Sequence, residues 1–225
     1  MKPFRPFLTL AVLAACVWAN AQGQAENLAK PVSLPPPTGF ILSQAEQAAK
    51  ADGKNVLVIF HASWCGWCKR LDKFMNDPAY KSIFDDNFET VKLTVQETDD
   101  HKLDENPGGL EEMDVLGGRD AGLPLFAILD PTGKILATSI RPVEGKDKGM
   151  NTGFPAAPEE IDHFLSMMQK GAPKVTADQL TAMKGYLAAA EAARQAEADA
   201  AKAKAAGAGA GGSTGGNAGA GGGGH

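Results

Sequence analysis

The sequence predicts an α/β fold, because apolar strands alternate along it with amphipathic helices. Residues 56–61 are almost continuously apolar, which is typical of a strand covered on both faces. Residues 125–129 form a second such run, and the turn at 130–133 connects it to a hairpin partner at 135–139. Residues 158–170 instead place apolar side chains on one face of a helix. These patterns together place the chain in the α/β class.

The other elements of the first half follow from local signals. Ser43 begins a capping-box pattern, which predicts a short helix that ends near residue 52. Residues 68–75 are predicted to be helical. Asp77, followed by proline, is predicted to cap a second helix that ends near residue 86. Residues 90–95 form the next predicted strand.

The second half is less regular. Segment 96–122 is long and acidic, and we expect one or two helical turns near 110–116, because structureless loops of this length are uncommon. The acid-rich stretch 99–114 within it lacks the acid spacing of a calcium loop, so a solvated rim beside the functional site is favoured. Residues 141–157 are rich in turn-forming residues. Thr176 opens another capping box and starts an Ala-rich helix, whose first turns are expected to dock through Leu180, Met183 and Leu187. The part beyond residue 188 has little to bury and is interpreted as a poorly packed extension.

The composition divides the chain into five parts. Residues 1–6 are basic, an apolar run follows, and Ala19-Asn20-Ala21 is a small-residue cleavage signature, which together indicate a secretory signal peptide. The predicted parts are a signal peptide at 1–21, a Pro-rich linker at 22–39, the folded domain at 40–170, a helical extension at 171–206 and a disordered Gly-rich tail at 207–225.

Export is expected under either interpretation of the N-terminus. Plain secretion, to the periplasm or beyond, is favoured because the cleavage signature lies at the normal distance behind the apolar run. The alternative is a lipoprotein anchored through Cys16, since Leu13-Ala14-Ala15-Cys16 fits a bacterial lipobox. The apolar run is too short to span a membrane, and no other run reaches that length. The net charge of −5 and the lack of a basic cluster argue against nucleic-acid binding.

Cysteine usage indicates redox chemistry. The chain has three cysteines, and removal or acylation of Cys16 leaves only Cys65 and Cys68. This pair lies between a predicted strand and a predicted helix. A thiol at a helix N-terminus meets free backbone N–H groups and the positive end of the helix dipole, which favour the thiolate. A loop this short stabilises a fold little when closed, so a functional disulfide is favoured over a structural one.

Two stretches resemble the thioredoxin superfamily, and in particular secreted bacterial thioredoxin-like proteins. They are Trp64-Cys65-Gly66-Trp67-Cys68-Lys69 after the buried strand, and Gly122-Leu123-Pro124 before the strand and turn at 125–134. The resemblance covers residues 40–170 and implies a central mixed β-sheet flanked by helices. It also implies that Cys65 attacks a substrate disulfide and that Cys68 resolves the mixed disulfide.

The resemblance further assigns roles around the cysteines. Trp64 would shield one side of the site and Trp67 would face solvent as a substrate platform, while Gly66 and Trp67 would tune the redox potential. Pro124 would be a cis-proline opposite the cysteines. The backbone of Leu123 would then offer hydrogen bonds to an extended substrate.

The sequence departs from thioredoxin at two positions. Ile59 stands where thioredoxin has a buried acid. Lys92 resembles the lysine that pairs with that acid, so it is expected to lack this partner. Trp67 stands where thioredoxin has proline. His61, near the end of the strand, is a candidate proton acceptor or thiolate stabiliser in place of the acid, and a satisfied structural histidine is the competing interpretation.

The expected function is extracytoplasmic thiol–disulfide oxidoreduction, either reduction or exchange. The partners would be exported proteins with disulfides or dithiols, together with a redox partner that recycles the protein. No cofactor is expected, because the redox equivalents reside in the two thiols. No metal is expected either, since zinc normally takes four ligands and there is no second Cys-x-x-Cys. The alternative is a non-enzymatic thioredoxin-fold module, such as an adaptor or metal chaperone.

Overall fold

A computed structural model describes residues 34–210, with side chains placed up to residue 205. The predicted signal peptide, the lipidation alternative at Cys16 and the Gly-rich stretch after residue 210 lie outside the described residues. The helices are α1 (Thr38–Asp52), α2 (Gly66–Met75), α3 (Lys81–Asn87), α4 (Gly109–Val115), α5 (Pro158–Gly171) and α6 (Ala177–Ala210), with a 3₁₀ helix at Asp99–Asp104. The strands are β1 (Asn55–His61), β2 (Phe88–Thr94), β3 (Leu125–Leu129), β4 (Ile135–Thr138), β5 (Ile140–Val143) and β6 (Lys146–Asn151).

The main sheet is mixed and has the strand order β2-β1-β3-β4. Strand β1 pairs with β2 in parallel and with β3 antiparallel, so it lies in the middle of the sheet. In the antiparallel register Phe60 lies opposite Leu125. The residue that follows β1 and the residue that precedes β3 therefore lie at the same edge of the sheet.

The sheet separates two hydrophobic clusters, because successive side chains of β1 point to opposite faces. Leu57 and Ile59 join a cluster that contains the buried faces of α2, α3, α5 and α6. Val56, Val58 and Phe60 join the other cluster, with residues of α1 and α4. The five central residues of β1 are buried, which agrees with the continuous apolar run in the sequence.

Two predicted helix starts are wrong, because the expected caps serve other contacts. Helix α1 begins at Thr38, whose backbone N–H donates to the Pro107 carbonyl at 2.8 Å, and Ser43 lies inside the helix with its hydroxyl bonded to the Phe40 carbonyl. Helix α3 begins at Lys81, and the Asp77 carboxylate instead accepts the Ala79 N–H in a preceding turn. Both predictions used local sequence, whereas tertiary packing extended the first helix.

The turn-rich segment 141–157 contains a hairpin that the sequence did not predict. Strands β5 and β6 form a separate two-stranded sheet, with Ile140 opposite Asn151. Their side chains are mostly exposed or half-buried, so neither strand has the apolar run that would have marked it. The hairpin is polar because it lies outside the main sheet.

The first turns of the C-terminal helix pack on the domain as predicted, whereas most of the described side chains beyond residue 188 are exposed. Its capping box is present, since the Thr176 hydroxyl and the Gln179 side chain each accept the other residue's backbone N–H. Met183 and Leu187 are fully buried, as their spacing predicted. Tyr186 stacks on Phe74 of α2 with a centroid distance of 5.0 Å.

Within residues 34–210 no helix is both long and apolar enough to cross a membrane.

Truncation of Met183 should test the docking of α6. Met183→Ala is expected to lower the free energy of unfolding by about 2–4 kcal/mol, because it leaves a cavity in the core. Met150→Ala, at a side chain that is 42% exposed, is the matched control and should change stability by less than about 0.5 kcal/mol. Urea unfolding followed by circular dichroism measures both, and equal effects of the two substitutions would contradict the packing of α6.

Candidate redox site

The two cysteines lie at the junction between β1 and α2. Cys65 is the N-cap residue of α2, and its sulfur accepts the backbone N–H of Cys68 at 3.1 Å. The two sulfurs form a disulfide 2.03 Å long. Helix α2 begins at Gly66, two residues before the predicted start at Cys68. A sulfur at this position faces the free N–H groups of the first turn, which stabilise negative charge on Cys65 when the disulfide is open.

The disulfide is covered while the side chains around it are exposed. Cys65 and Cys68 are 2% and 7% exposed. Trp64 is 53% exposed, and its indole N–H donates to the Gln96 carbonyl at 2.8 Å. About half of the Trp64 side chain is therefore exposed at the surface beside the cysteines. Gly66 is exposed, and no atom lies within 4 Å of the position that a side chain would occupy.

Trp67 is 42% exposed, and three side chains lie against its ring, one from its own helix and two from distant parts of the chain. Phe154, in the segment after β6, stacks on it at a centroid distance of 6.2 Å. The Arg70 guanidinium lies 5.0 Å from the ring centroid, and that of Arg194 on α6 lies 5.8 Å from it. The predicted open platform is thus a platform with defined sides, two of which are cationic.

The Leu123–Pro124 peptide bond is cis, as the resemblance implied. Leu123 belongs to the same hydrophobic cluster as both cysteines, and the register of β1 and β3 brings this bond to the cysteine edge of the sheet. Asn151 of β6 holds the segment from outside: its amide nitrogen donates to the carbonyls of Gly122 at 2.6 Å and of Pro124 at 3.0 Å. The sequence did not identify Asn151, because it lies in the unpredicted hairpin.

A cleft of about 850 Å³ adjoins the cis-proline segment. It lies between the end of α4 and the β5–β6 hairpin, and its lining includes Gly122 and Asn151 together with Arg119, Asp120 and Lys148. Charged side chains line part of the cleft, which opens beside the backbone that was expected to bind an extended substrate.

Glu97 is a buried carboxylate that fixes the loop before the cysteines. It accepts the backbone N–H of Ser63 at 2.6 Å and the Ser63 hydroxyl at 2.7 Å. The next residues of this loop are Trp64 and Cys65, so Glu97 holds the chain where it enters the site. Glu97 lies just before the acidic stretch that was predicted to form a solvated rim, and nothing in the local sequence marked it as buried.

His61 and Lys92 lie beside Cys68, around a cavity of about 160 Å³ that Asp72 and Ile59 also line. Lys92 pairs with Asp72 of α2, in place of the strand acid that this sequence lacks. Ile59 is buried, as expected. The pKa of His61 is lowered, first by burial and then by the positive charge of Lys92, while Asp72 and Glu97 act weakly in the opposite direction. His61 is therefore neutral near pH 7, which suits a proton acceptor rather than a cationic stabiliser.

No group of three or more metal-ligating side chains occurs among the described residues. The geometry that is present supports dithiol chemistry: a disulfide at a helix N-terminus, a neutral imidazole and a cis-proline meet at one edge of the sheet.

Residues 41–131 match the protein family described as Thioredoxin-like. The protein disulfide-isomerase of Medicago sativa is 31% identical over 103 residues, which cover 44% of this chain and 20% of that relative. The chain thus spans about a fifth of the length of the curated relative it matches.

Solved structures with similarity to the chain include a disulphide isomerase from Xylella fastidiosa Temecula1. It is 26% identical, with a TM-score of 0.39, and the match covers 49% of this chain and 79% of that one. The C-terminal domain of DsbD from Neisseria meningitidis, in the oxidised form, is 20% identical with a TM-score of 0.34. That match covers 47% of this chain and 84% of the other.

Removal of the Glu97 carboxylate should destabilise the domain. Glu97→Ala is expected to lower the free energy of unfolding by about 1–3 kcal/mol, because two part-buried hydrogen bonds from Ser63 to the carboxylate are lost. Glu111→Ala, at an exposed acid on α4, is the control and should have an effect below about 0.5 kcal/mol. Urea titrations of both variants decide the point. If Glu97→Ala is as stable as the control, Glu97 does not anchor the loop.

Proposed function

Since the chain carries a thioredoxin-like domain, we propose that it is an extracytoplasmic thiol–disulfide oxidoreductase that reduces or exchanges disulfides of other exported proteins. The observation that carries the proposal is the Cys65–Cys68 disulfide at the N-terminus of α2, at the same sheet edge as the cis bond before Pro124. The composition of residues 1–21 supports an extracytoplasmic location.

In the reducing direction the dithiol form acts in two exchange steps. The Cys65 thiolate attacks one sulfur of the client disulfide. The client's second sulfur leaves as a thiolate and takes up a proton. The Cys68 thiol then loses its proton and attacks Cys65, which releases the client's first sulfur as a thiol. Two electrons and two protons pass to the client, and the Cys65–Cys68 disulfide is formed. Oxidation of a client dithiol runs the same steps in reverse, whereas in exchange another thiol of the client attacks the mixed disulfide and releases Cys65 as a thiolate.

The surrounding residues have separate roles in this proposal. Trp64 and Trp67 flank the disulfide and offer exposed aromatic surface to a client. Leu123, beside the cis bond to Pro124, would pair its backbone with an extended client segment. Gly66 leaves the surface next to Cys65 open, which lets a client sulfur approach. A donor protein that carries its own dithiol would return the site to the reduced state.

His61 is proposed as the acceptor for the proton of Cys68. It lines the same cavity as Cys68, and its lowered pKa leaves the imidazole neutral and able to accept a proton near pH 7. Lys92, at the same cavity, helps to keep the imidazole neutral because its positive charge disfavours the imidazolium, while Asp72 acts in the opposite direction.

Trapping should identify nucleophile, resolver and client together. In Cys68→Ser the resolving thiol is absent, so mixed disulfides through Cys65 should accumulate and appear as reducible adducts on a non-reducing gel. Mass spectrometry of the adducts identifies the clients. Cys65→Ser is the matched variant and should trap little. Equal trapping by the two variants would reverse the assigned roles.

Insulin reduction by the full chain separates an enzyme from a binding module. Turnover with a chemical dithiol as donor is expected. If no turnover occurs while Cys65→Ser still binds a partner, the non-enzymatic alternative replaces the proposal. The equilibrium of the cysteine pair with glutathione then gives the direction, because a reductant lies near the potential of thioredoxin, about −270 mV, and an oxidant well above it.

The pH dependence of the resolving step should test His61. In the wild type the rate of client release should fall as the pH drops through the lowered pKa of His61, where the imidazole becomes protonated and can no longer accept a proton. His61→Ala should release the client about tenfold or more slowly at pH 7 and should lack this inflection. His101→Ala, at an exposed histidine, is the control. Identical profiles for wild type and His61→Ala would leave His61 a structural residue.

A further inference from the structure

The C-terminal helix reaches the redox site, although the sequence and the function proposed above give it no role there. Met183 and Leu187 fix α6 in the core. Arg194 follows Leu187 by seven residues, which is about two helical turns and returns to the same face. Arg194 therefore lies beside the ring of Trp67, which is one of the two residues between the cysteines in the sequence.

The Arg194 guanidinium is held in place rather than free. Its Nε and Nη2 donate to the two oxygens of Glu191 at 2.7 and 2.5 Å, and the amide of Gln195 donates to the same carboxylate at 2.9 Å. The pKa of Glu191 is lowered, chiefly by the bond from Arg194 and also by the charge of Arg70. Arg70 therefore lies close to this cluster as well as to Trp67.

The active-site helix adds further positive charge. Lys69, Arg70 and Lys73 are exposed on α2, and none of them forms an ion pair with another described residue. Asp72 is the one acid of α2, and it is engaged by Lys92. The protein as a whole has a net charge of −5, so this positive rim is a local departure from the overall charge.

We propose that α6 completes the client-binding surface, and that this surface selects client segments that carry acidic side chains next to the reactive cysteine. The extended segment would cross Trp67 and bring its carboxylates to the rim formed by Arg70, Lys73 and Arg194. Arginine beside an aromatic ring presents several donors to a carboxylate, and a surface of one sign also speeds the encounter with the opposite sign. Glu191 orients Arg194, while Arg70 and Lys73 supply the uncompensated charge.

This inference rests on the proposed function, so the experiment separates the two. Reduced full-length protein is mixed with disulfide-linked peptides whose cysteines are flanked by Asp, Ser or Lys, and the second-order rate constant is measured in a single turnover. The same peptides are reduced with dithiothreitol, and each rate is divided by that reference, because flanking charge also alters the reactivity of the disulfide itself.

The normalised rate should be about tenfold higher for the Asp peptide than for the Lys peptide at low salt, and the difference should nearly vanish near 0.5 M salt. Arg70→Ala and Arg194→Ala should each reduce the ratio of the Asp-peptide rate to the Lys-peptide rate about threefold. Arg194→Lys should retain most of this ratio. Lys184→Ala removes a comparable ion pair of α6, with Asp162, far along the helix from Arg194, and should leave the ratio unchanged.

Each outcome has a distinct meaning. If the Ser-flanked peptide reacts no faster with the wild type than with Cys65→Ser, the proposed function itself is wrong. Reaction with all three peptides at equal normalised rates overturns the selection of acidic segments and leaves the function standing. An unchanged ratio in Arg194→Ala, with normal circular dichroism, excludes α6 from the surface. As a direct check of the contact, Arg194→Ala should shift the fluorescence of Trp67 when Trp18 and Trp64 are replaced by phenylalanine.

Discussion

The placement of Cys65 as the N-cap of α2, four residues after the end of the central strand β1, is the constraint on which the site depends. Strand β1 is paired on both edges and covered on both faces, so its end is a fixed point. The chain turns there into a helix whose first free N–H groups meet the cysteine sulfur. Because Cys65 and Cys68 share that turn, the same local geometry closes the disulfide and favours the thiolate when it opens. The chemistry thus follows from one junction between a rigid strand and a helix dipole.

Contacts from distant segments hold this junction. Glu97 fixes Ser63 before the cysteines, and Asn151 fixes the carbonyls on both sides of the cis bond. Arg194 lies against Trp67 from the far end of the chain. Each is a polar or charged group placed by an element outside the central sheet. The sheet therefore gives the site its position, and these peripheral groups give its surface a shape and a charge.

Elements were predictable where burial imposed a simple period. Strands β1 and β3 were found because both faces are buried, and the first turns of α6 because Met183 and Leu187 recur at helical spacing. Capping patterns were unequal guides: the one at Thr176 caps a helix, whereas the one at Ser43 lies within a helix that tertiary contacts extended. The β5–β6 hairpin could not be found in this way, because polar strands outside the core carry no hydrophobic period.

The sequence by itself determined the α/β class, the redox pair and its flanking tryptophans, since these depend on local pattern and on residue chemistry. It also located the proline whose peptide bond is cis. Only the tertiary structure decided which charges meet. It paired Lys92 with Asp72, buried Glu97 under the cysteine loop and brought Arg194 to Trp67 across more than a hundred residues of chain. The physical reason is that side-chain electrostatics act through space over a few ångströms, and sequence spacing does not specify which distant residues the fold brings within that range.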